Sequence, residues 1–170
     1  MTIHYHRLET LLEIYDQPAD LPVEDQALLE RARAAAVNSY SPYSNFKVGA
    51  AARLATGQVL SGSNQENIAY PSGLCAESII MFAAGAEYPN DAVVTLAVTT
   101  ISGPEDSQEL VTPCGVCRQV IAEYRNRHGH PIRIIMQGKQ GPVYVVADIQ
   151  GLLPLMFENA TVKKNEPAAL

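Results

Sequence analysis

No stretch of about eighteen consecutive apolar residues, the length a membrane span needs, occurs in this chain, which argues against a transmembrane helix. The opening residues, MTIHYHRLETLLEIY, lack an apolar h-region and a small-residue cleavage site. That speaks against secretion and makes the cytoplasm the expected location. A basic track is missing as well. The net charge is −6, and the densest basic spots, RNRHGH at 125–130 and Lys163–Lys164, read as a solvated helix end and a tail. A nucleic-acid polymer needs clustered cations to neutralise its phosphates, so a small uncharged ligand fits better. Cysteine is scarce and odd in number: Cys75, Cys114 and Cys117. In a chain expected in the cytosol this argues against a disulfide framework. Charge is sparse too, at 18% against 47% apolar residues, so the chain reads as globular.

At 170 residues the chain reads as one domain, 1–170, with a core over about 24–157. LETLLEIY (8–15) has helical spacing and predicts a helical N-terminal extension over 1–22, interrupted by QPADLP. A long helix is expected at 23–40, where acids come early and Arg31 and Arg33 later. KVGAAARL (47–54) and QVLSGSN (58–64) read as a hairpin, and LCAESIIMFAAGA (74–86) as a buried helix. The β-branched run AVVTLAVTTI (92–101) predicts a central strand. A helix at 114–129 closed by Gly129, strands at 131–137 and 141–148, and a short helical or turn segment at 149–157 follow. The tail, 160–170, reads as disordered. Alternating elements of this kind predict an α/β domain: a three-layer α/β/α sandwich with a mixed sheet of about five strands.

All three cysteines stand at predicted helix starts. TPCGVC (112–117) alone has two readings, a dithiol redox pair or half of a zinc site. Cys75, after a similar Pro/Gly turn, is either a small core thiol or a third ligand. Three thiolates at two helix N-termini suit a divalent cation and leave a fourth tetrahedral position open, as in catalytic zinc sites. Glu77 in a first helical turn ordinarily complements the helix dipole. Its apolar neighbours carry it inward instead, and beside an open metal position a buried carboxylate moves protons. Zinc deaminases carry a ligand-x-Glu element followed by Pro-Cys-x-x-Cys. CAE at 75–77 and PCGVC at 113–117 match both halves, in order.

With these motifs the chain resembles the cytidine deaminases of the small, homotetrameric, three-cysteine type, over roughly residues 24–157. YSPYSNFKVGAA (40–51), NQENIAYP (64–71) and LLPLMF (152–157) extend the likeness. The resemblance implies one Zn²⁺ per chain held by Cys75, Cys114 and Cys117, with Glu77 shuttling protons to N3 and the leaving amine. It implies that Ala76 offers its backbone to the pyrimidine carbonyl, that Asn64 and Glu66 bind the ribose 3′-hydroxyl, and that Phe46 packs against the base. Phe157 would reach into a neighbouring subunit's site, so active sites are shared within a homotetramer. The implied activity is hydrolytic deamination of cytidine or deoxycytidine to the uridine and ammonia, a step of pyrimidine salvage. Tyr40, Tyr43 and Tyr70 line the pocket or merely pack.

An arginine is absent where the resemblance implies one. Family members with cysteine ligands usually follow Cys-Ala-Glu with Arg, which bonds the thiolates; here Ser78 stands in its place. Ser78 is expected to hydrogen-bond near the site, and Arg118, beside Cys117, is a candidate for offsetting thiolate charge. The same absence keeps a deaminase of modified cytosine nucleosides or nucleoside antibiotics as an alternative. A non-catalytic structural zinc protein is a third reading, and it requires a fourth ligand. The four histidines, His4, His6, His128 and His130, all lie in terminal or helix-end segments.

Overall fold

A central strand buried on both faces is dominated by apolar and β-branched side chains, and the run AVVTLAVTTI at 92–101 has no others. In a computed structural model of the chain, which describes residues 1–158, it forms Val93–Thr100, the fourth strand in chain order (β4). On one side β4 pairs antiparallel with β2 (Val48–Leu54), which turns back into β3 (Val59–Ser63). On the other side it pairs parallel with β5 (Arg133–Met136), followed by the antiparallel β6 (Val143–Val146). A first strand, β1 (Glu13–Tyr15), adds to the outer edge of β6 and completes a six-stranded mixed sheet ordered β1-β6-β5-β4-β2-β3.

The period-two alternation of the strands sorts the core into two layers. Ala51, Ala97, Ile135, Val143 and Val145 face α1 (Val23–Ala36) and meet Leu28, Leu29 and Ala32. Ala50, Ala52, Leu96, Val98, Ile134 and Met136 face the other way, toward α2 (Ala76–Glu87) and α3 (Gly115–His128). The parallel β4–β5 pair needs a crossover, and α3 supplies it. Gly129, at φ 63°, ends α3 in the left-handed conformation that glycine adopts without steric cost. The three-layer α/β/α arrangement is as the sequence predicts.

Helix α1 approaches β2 so closely that a Cβ at Gly49 would lie 2.0 Å from the Ala32 carbonyl oxygen and 2.6 Å from the Ala36 nitrogen. Both neighbours are backbone and cannot rotate aside. Gly49→Ala is therefore expected to destabilise the fold by at least about 3 kcal/mol, the upper range for overpacking. Denaturant unfolding measures it; a change under about 1 kcal/mol would contradict this packing.

Two expectations need correction. Residues 8–15 are not helical: Glu13–Tyr15 is extended, and helical geometry within 1–22 is confined to the 3₁₀ turn Pro18–Asp20. A segment this short cannot sustain an isolated helix. The open edge of β6 offers its backbone ladder instead, and Arg133 clamps Glu13 there through two N–H bonds of 3.1 and 2.9 Å. Among the described residues the sheet consequently has six strands, not five. The tail expected to be disordered, 160–170, lies outside the described residues.

Candidate metal centre

Two loop-to-helix junctions meet on the α2/α3 face of the sheet. Cys75 is the N-cap residue of α2 and Cys114 that of α3, both with extended backbone. Cys117 lies one helical turn after Cys114, close enough for its N–H to donate to Cys114 Sγ at 3.4 Å. That bond occupies the place of a Ser or Asp cap. The spacing of three residues thus turns both sulfurs of the pair to one side of the helix start. Across the gap, Cys75 Sγ is 3.9 Å from Cys114 Sγ, and all three sulfurs lie within 4.8 Å of one another.

A tetrahedral zinc ion at about 2.3 Å from each sulfur requires sulfur separations of about 3.8 Å. The observed spacing needs little adjustment, and the donor set fits one zinc ion. Cys117 is buried while Cys75 and Cys114 are exposed, so the site is open on one side. Among the described residues, the cluster of potential metal ligands holds these three groups and no histidine or carboxylate. The fourth ligand that a closed structural site requires is thus not supplied by the four histidines.

Electrostatics point the same way. The hydrogen bond to Cys75, then burial, then the charge of Glu77 push the Cys117 thiol far above its ordinary range. Without a cation the Cys117 thiol stays protonated; a divalent ion at the centre of the three sulfurs removes that barrier. Glu77 is 3% exposed in the first turn of α2. Burial raises its carboxyl above the ordinary 4.5, opposed by its own backbone amide and the Cys117 thiol. A carboxyl poised this way takes up and returns protons more readily than an exposed one.

Ser78, one residue on, is buried and places its hydroxyl 3.3 Å from Cys117 Sγ. The expected hydrogen bond near the site is present, from the residue where an arginine is missing. Arg118 turns elsewhere. Its Nε donates to Pro113 O at 2.8 Å, one terminal nitrogen to Leu152 O at 2.9 Å, and the other to Thr112 Oγ1 at 3.3 Å. It ties down the loop that carries Cys114 and spends its N–H groups on oxygens. Ser78→Ala is expected to weaken zinc binding by about tenfold, the lower range for losing a ligand's hydrogen-bond partner. Competition against a chelator reads this; an unchanged affinity would mean that the hydroxyl leaves the thiolate untouched.

Cys75 also borders a cavity of about 480 Å³ whose walls include Tyr43, Ser44, Asn64, Glu66 and Tyr70. Tyr43 and Tyr70 meet edge to face, ring centroids 6.3 Å apart. Asn64 Oδ1 accepts from Ser39 Oγ at 2.6 Å and from Val48 N at 2.9 Å, and its Nδ2 donates to Phe46 O at 2.9 Å. One N–H of Asn64 is left over. Glu66 accepts from the backbone of Tyr43 at 2.9 Å and of Ser44 at 3.3 Å, and through a short bond from the Ser44 hydroxyl. That hydroxyl, more than the amides, holds the Glu66 carboxyl below its usual range. One lone pair of Glu66 Oε1 stays free.

The sequence-predicted residues thus divide. Cys75, Cys114, Cys117 and Glu77 converge on the helix starts, with Ala76 fully buried between Cys75 and Glu77. Asn64 and Glu66 face the adjoining cavity. Phe46 instead lines a separate cavity of about 350 Å³ beside Thr100 and Val111. Phe157 is exposed, its carbonyl accepting from Gln119 Nε2 at 3.1 Å. Sequence reasoning missed Ser44, whose hydroxyl fixes Glu66; its only signal was a polar turn in SPYSNF. A larger cavity, about 610 Å³, opens between α1 and the β2–β3 hairpin and contains no thiol.

Comparison with known proteins agrees with this geometry. The family model for the cytidine and deoxycytidylate deaminase zinc-binding region matches residues 22–129. A cytidine deaminase of Halalkalibacterium halodurans is 42% identical over 101 residues, covering 59% of this chain and 72% of that protein. One of Mycobacterium tuberculosis is 36% identical over 114 residues, covering 65% and 81%. The crystal structure of a cytidine deaminase from Burkholderia pseudomallei superposes with a TM-score of 0.66 at 36% identity, covering 77% of this chain and 97% of that one. With three sulfurs spaced for zinc and a buried glutamate beside them, the chain belongs to the cytidine and deoxycytidylate deaminase zinc-binding family.

Proposed function

We propose that this protein is a zinc-dependent hydrolase that converts cytidine, deoxycytidine or both to the corresponding uridine and ammonia. The observation that carries the reading is Glu77, a buried carboxyl with a raised proton affinity, beside a three-sulfur centre whose fourth position is open. Cys75, Cys114 and Cys117 would hold the ion. Zinc bound there supplies the Lewis acidity that makes water nucleophilic near neutral pH.

Glu77 does the proton work. It takes a proton from the attacking water and delivers it to N3 of the pyrimidine as C4 becomes tetrahedral, then takes the remaining proton from the new C4 hydroxyl and hands it to the amine as the C4–N4 bond breaks and ammonia leaves. The Ala76 backbone lies at the start of α2, within reach of a pyrimidine carbonyl oriented by Glu77. Asn64 and Glu66 retain one donor and one acceptor between them, which is what a ribose hydroxyl requires. Tyr43 and Tyr70 give the nucleoside an aromatic wall.

Phe157 is assigned to a neighbouring subunit's site, in a homotetramer with shared active sites, whereas packing of Phe46 on the base requires the cavity it lines to join the one that Asn64 and Glu66 face. An apolar surface on α2 and α3 that includes exposed Phe82 and Val116 supports assembly. The chain is read as one deaminase-like domain over 1–170, acting in cytoplasmic pyrimidine salvage. Among the described residues no helix is long and apolar enough to cross a membrane.

Absorbance and ammonia assays on cytidine, deoxycytidine and cytosine-antibiotic analogues, run side by side, test the reading. Loss of the cytosine band with equimolar ammonia is expected from at least one of the two simple nucleosides. Ammonia from the analogues alone would reassign the substrate, and none from any would defeat the proposal.

A further inference from the structure

Residues 1–21 precede the family-matched region and contribute no sulfur or carboxylate to the metal centre. Part of this arm is nonetheless held firmly. β1 runs antiparallel to β6, with Glu13 opposite Val145 and Tyr15 opposite Val143. Arg133 reaches across β6 to clamp Glu13, and its Nε donates to the buried Asp25 at 3.1 Å. The Tyr15 hydroxyl adds a bond to Glu13 at 2.9 Å.

Antiparallel pairing sends the chain preceding Glu13 past the C-terminal end of β6, toward the 3₁₀ turn Ile149–Gly151. There Thr10 Oγ1 donates to Gly151 O at 2.7 Å. Leu8 and Glu9 enclose a cavity of about 390 Å³ with Leu153, Pro154 and Met156. From the opposite side, the two residues that follow Cys117 grip the same segment: Arg118 at Leu152 O, 2.9 Å, and Gln119 at Phe157 O, 3.1 Å. The stretch 149–157 is therefore held between the arm and the helix that carries two of the three sulfurs.

We propose that residues 8–15 form a strap that fixes the segment 149–157 against α3 and so positions Phe157 without entering the cavity. Arg118 and Gln119 anchor the segment at two backbone carbonyls on one side. The Thr10 bond and the contacts of Leu8 and Glu9 hold the other side. Loss of the Thr10 bond lets the segment pivot on its α3 anchors and changes where Phe157 presents its ring. The catalytic consequence rests on the role proposed above for Phe157; the mechanical one does not.

Thr10→Val keeps the side-chain shape and removes the donor, while Thr10→Ser keeps the donor. In the full-length, zinc-loaded protein, amide hydrogen exchange over 149–158 should quicken about fivefold in Thr10→Val, the size of one hydrogen bond. Exchange in β2, β4 and β5 should not change, and Thr10→Ser should match wild type. With whichever of cytidine and deoxycytidine the wild type turns over, KM should rise several-fold in Thr10→Val while kcat and zinc content hold. Unchanged exchange over 149–158, or equal acceleration in both variants, overturns the strap. Quickened exchange with an unaltered KM overturns the positioning of Phe157. A wild-type protein without turnover defeats the functional reading instead, and the exchange result still decides the strap.

Discussion

Replacing Glu77 with glutamine is expected to lower kcat by about 10³- to 10⁴-fold, the upper range for losing a positioned general acid–base, with zinc still bound. Glutamine matches the shape of the buried side chain and its hydrogen-bonding capacity, but it cannot carry a proton between water, N3 and the leaving amine. Retention of near-normal turnover with zinc bound would remove Glu77 from the mechanism. Stability should move the other way. In the metal-free fold, burial raises the Glu77 pKa above its ordinary 4.5. Between 4.5 and that raised value the folded state holds a proton that the unfolded state has released. Stability contributed by this group is therefore full below 4.5 and falls as the pH rises to the folded value. Glu77→Gln cancels that loss, so stripped variant and stripped wild type should diverge as the pH rises above 4.5 and converge below it. Denaturant unfolding across pH tests the sign.

Cys117→Ala carries the second large effect. It deletes the one fully buried ligand, removes the hydrogen-bond partner of Ser78, and breaks a pair already set by the turn of α3. Zinc affinity should fall by more than the about 10- to 100-fold typical of a lost second-layer partner, and turnover should vanish with the metal. Ion binding favours only the folded state, so wild type should gain thermal stability on adding zinc and the variant should not. A variant that keeps one zinc per chain would contradict the three-sulfur site.

The parts of this fold legible in sequence were those with long or repeated signals. β4 announced itself by eight residues of unbroken β-branched and apolar character, and α2 by an apolar surround that also carried Glu77 inward. The metal ligands were legible because sequence spacing converts directly into geometry at a helix start: Cys114 and Cys117 share one turn. Three-residue β1 carried no such signal. Its conformation depends on a free edge on β6 and on Arg133, 120 residues away. The destination of Arg118 was equally hidden. Adjacent helix positions differ by about 100°, so a neighbour of Cys117 points away from the metal and toward Pro113 and Leu152. Ser78 lies three residues after Cys75, on the face of α2 that meets α3, and contacts Cys117 for that reason. Asn64 and Glu66 were read as ribose ligands from their motif. Their own bonds first build the loop, and only what remains is available to a ligand.

The central claim is that a zinc ion on these three sulfurs, served by Glu77, deaminates a cytosine nucleoside. Titrating zinc into metal-stripped protein while recording ammonia release from cytidine or deoxycytidine tests it most directly. The account predicts activity that rises in proportion to bound zinc and reaches its plateau at one ion per chain. Zinc bound at that ratio with no ammonia, or ammonia released independently of zinc, would contradict it.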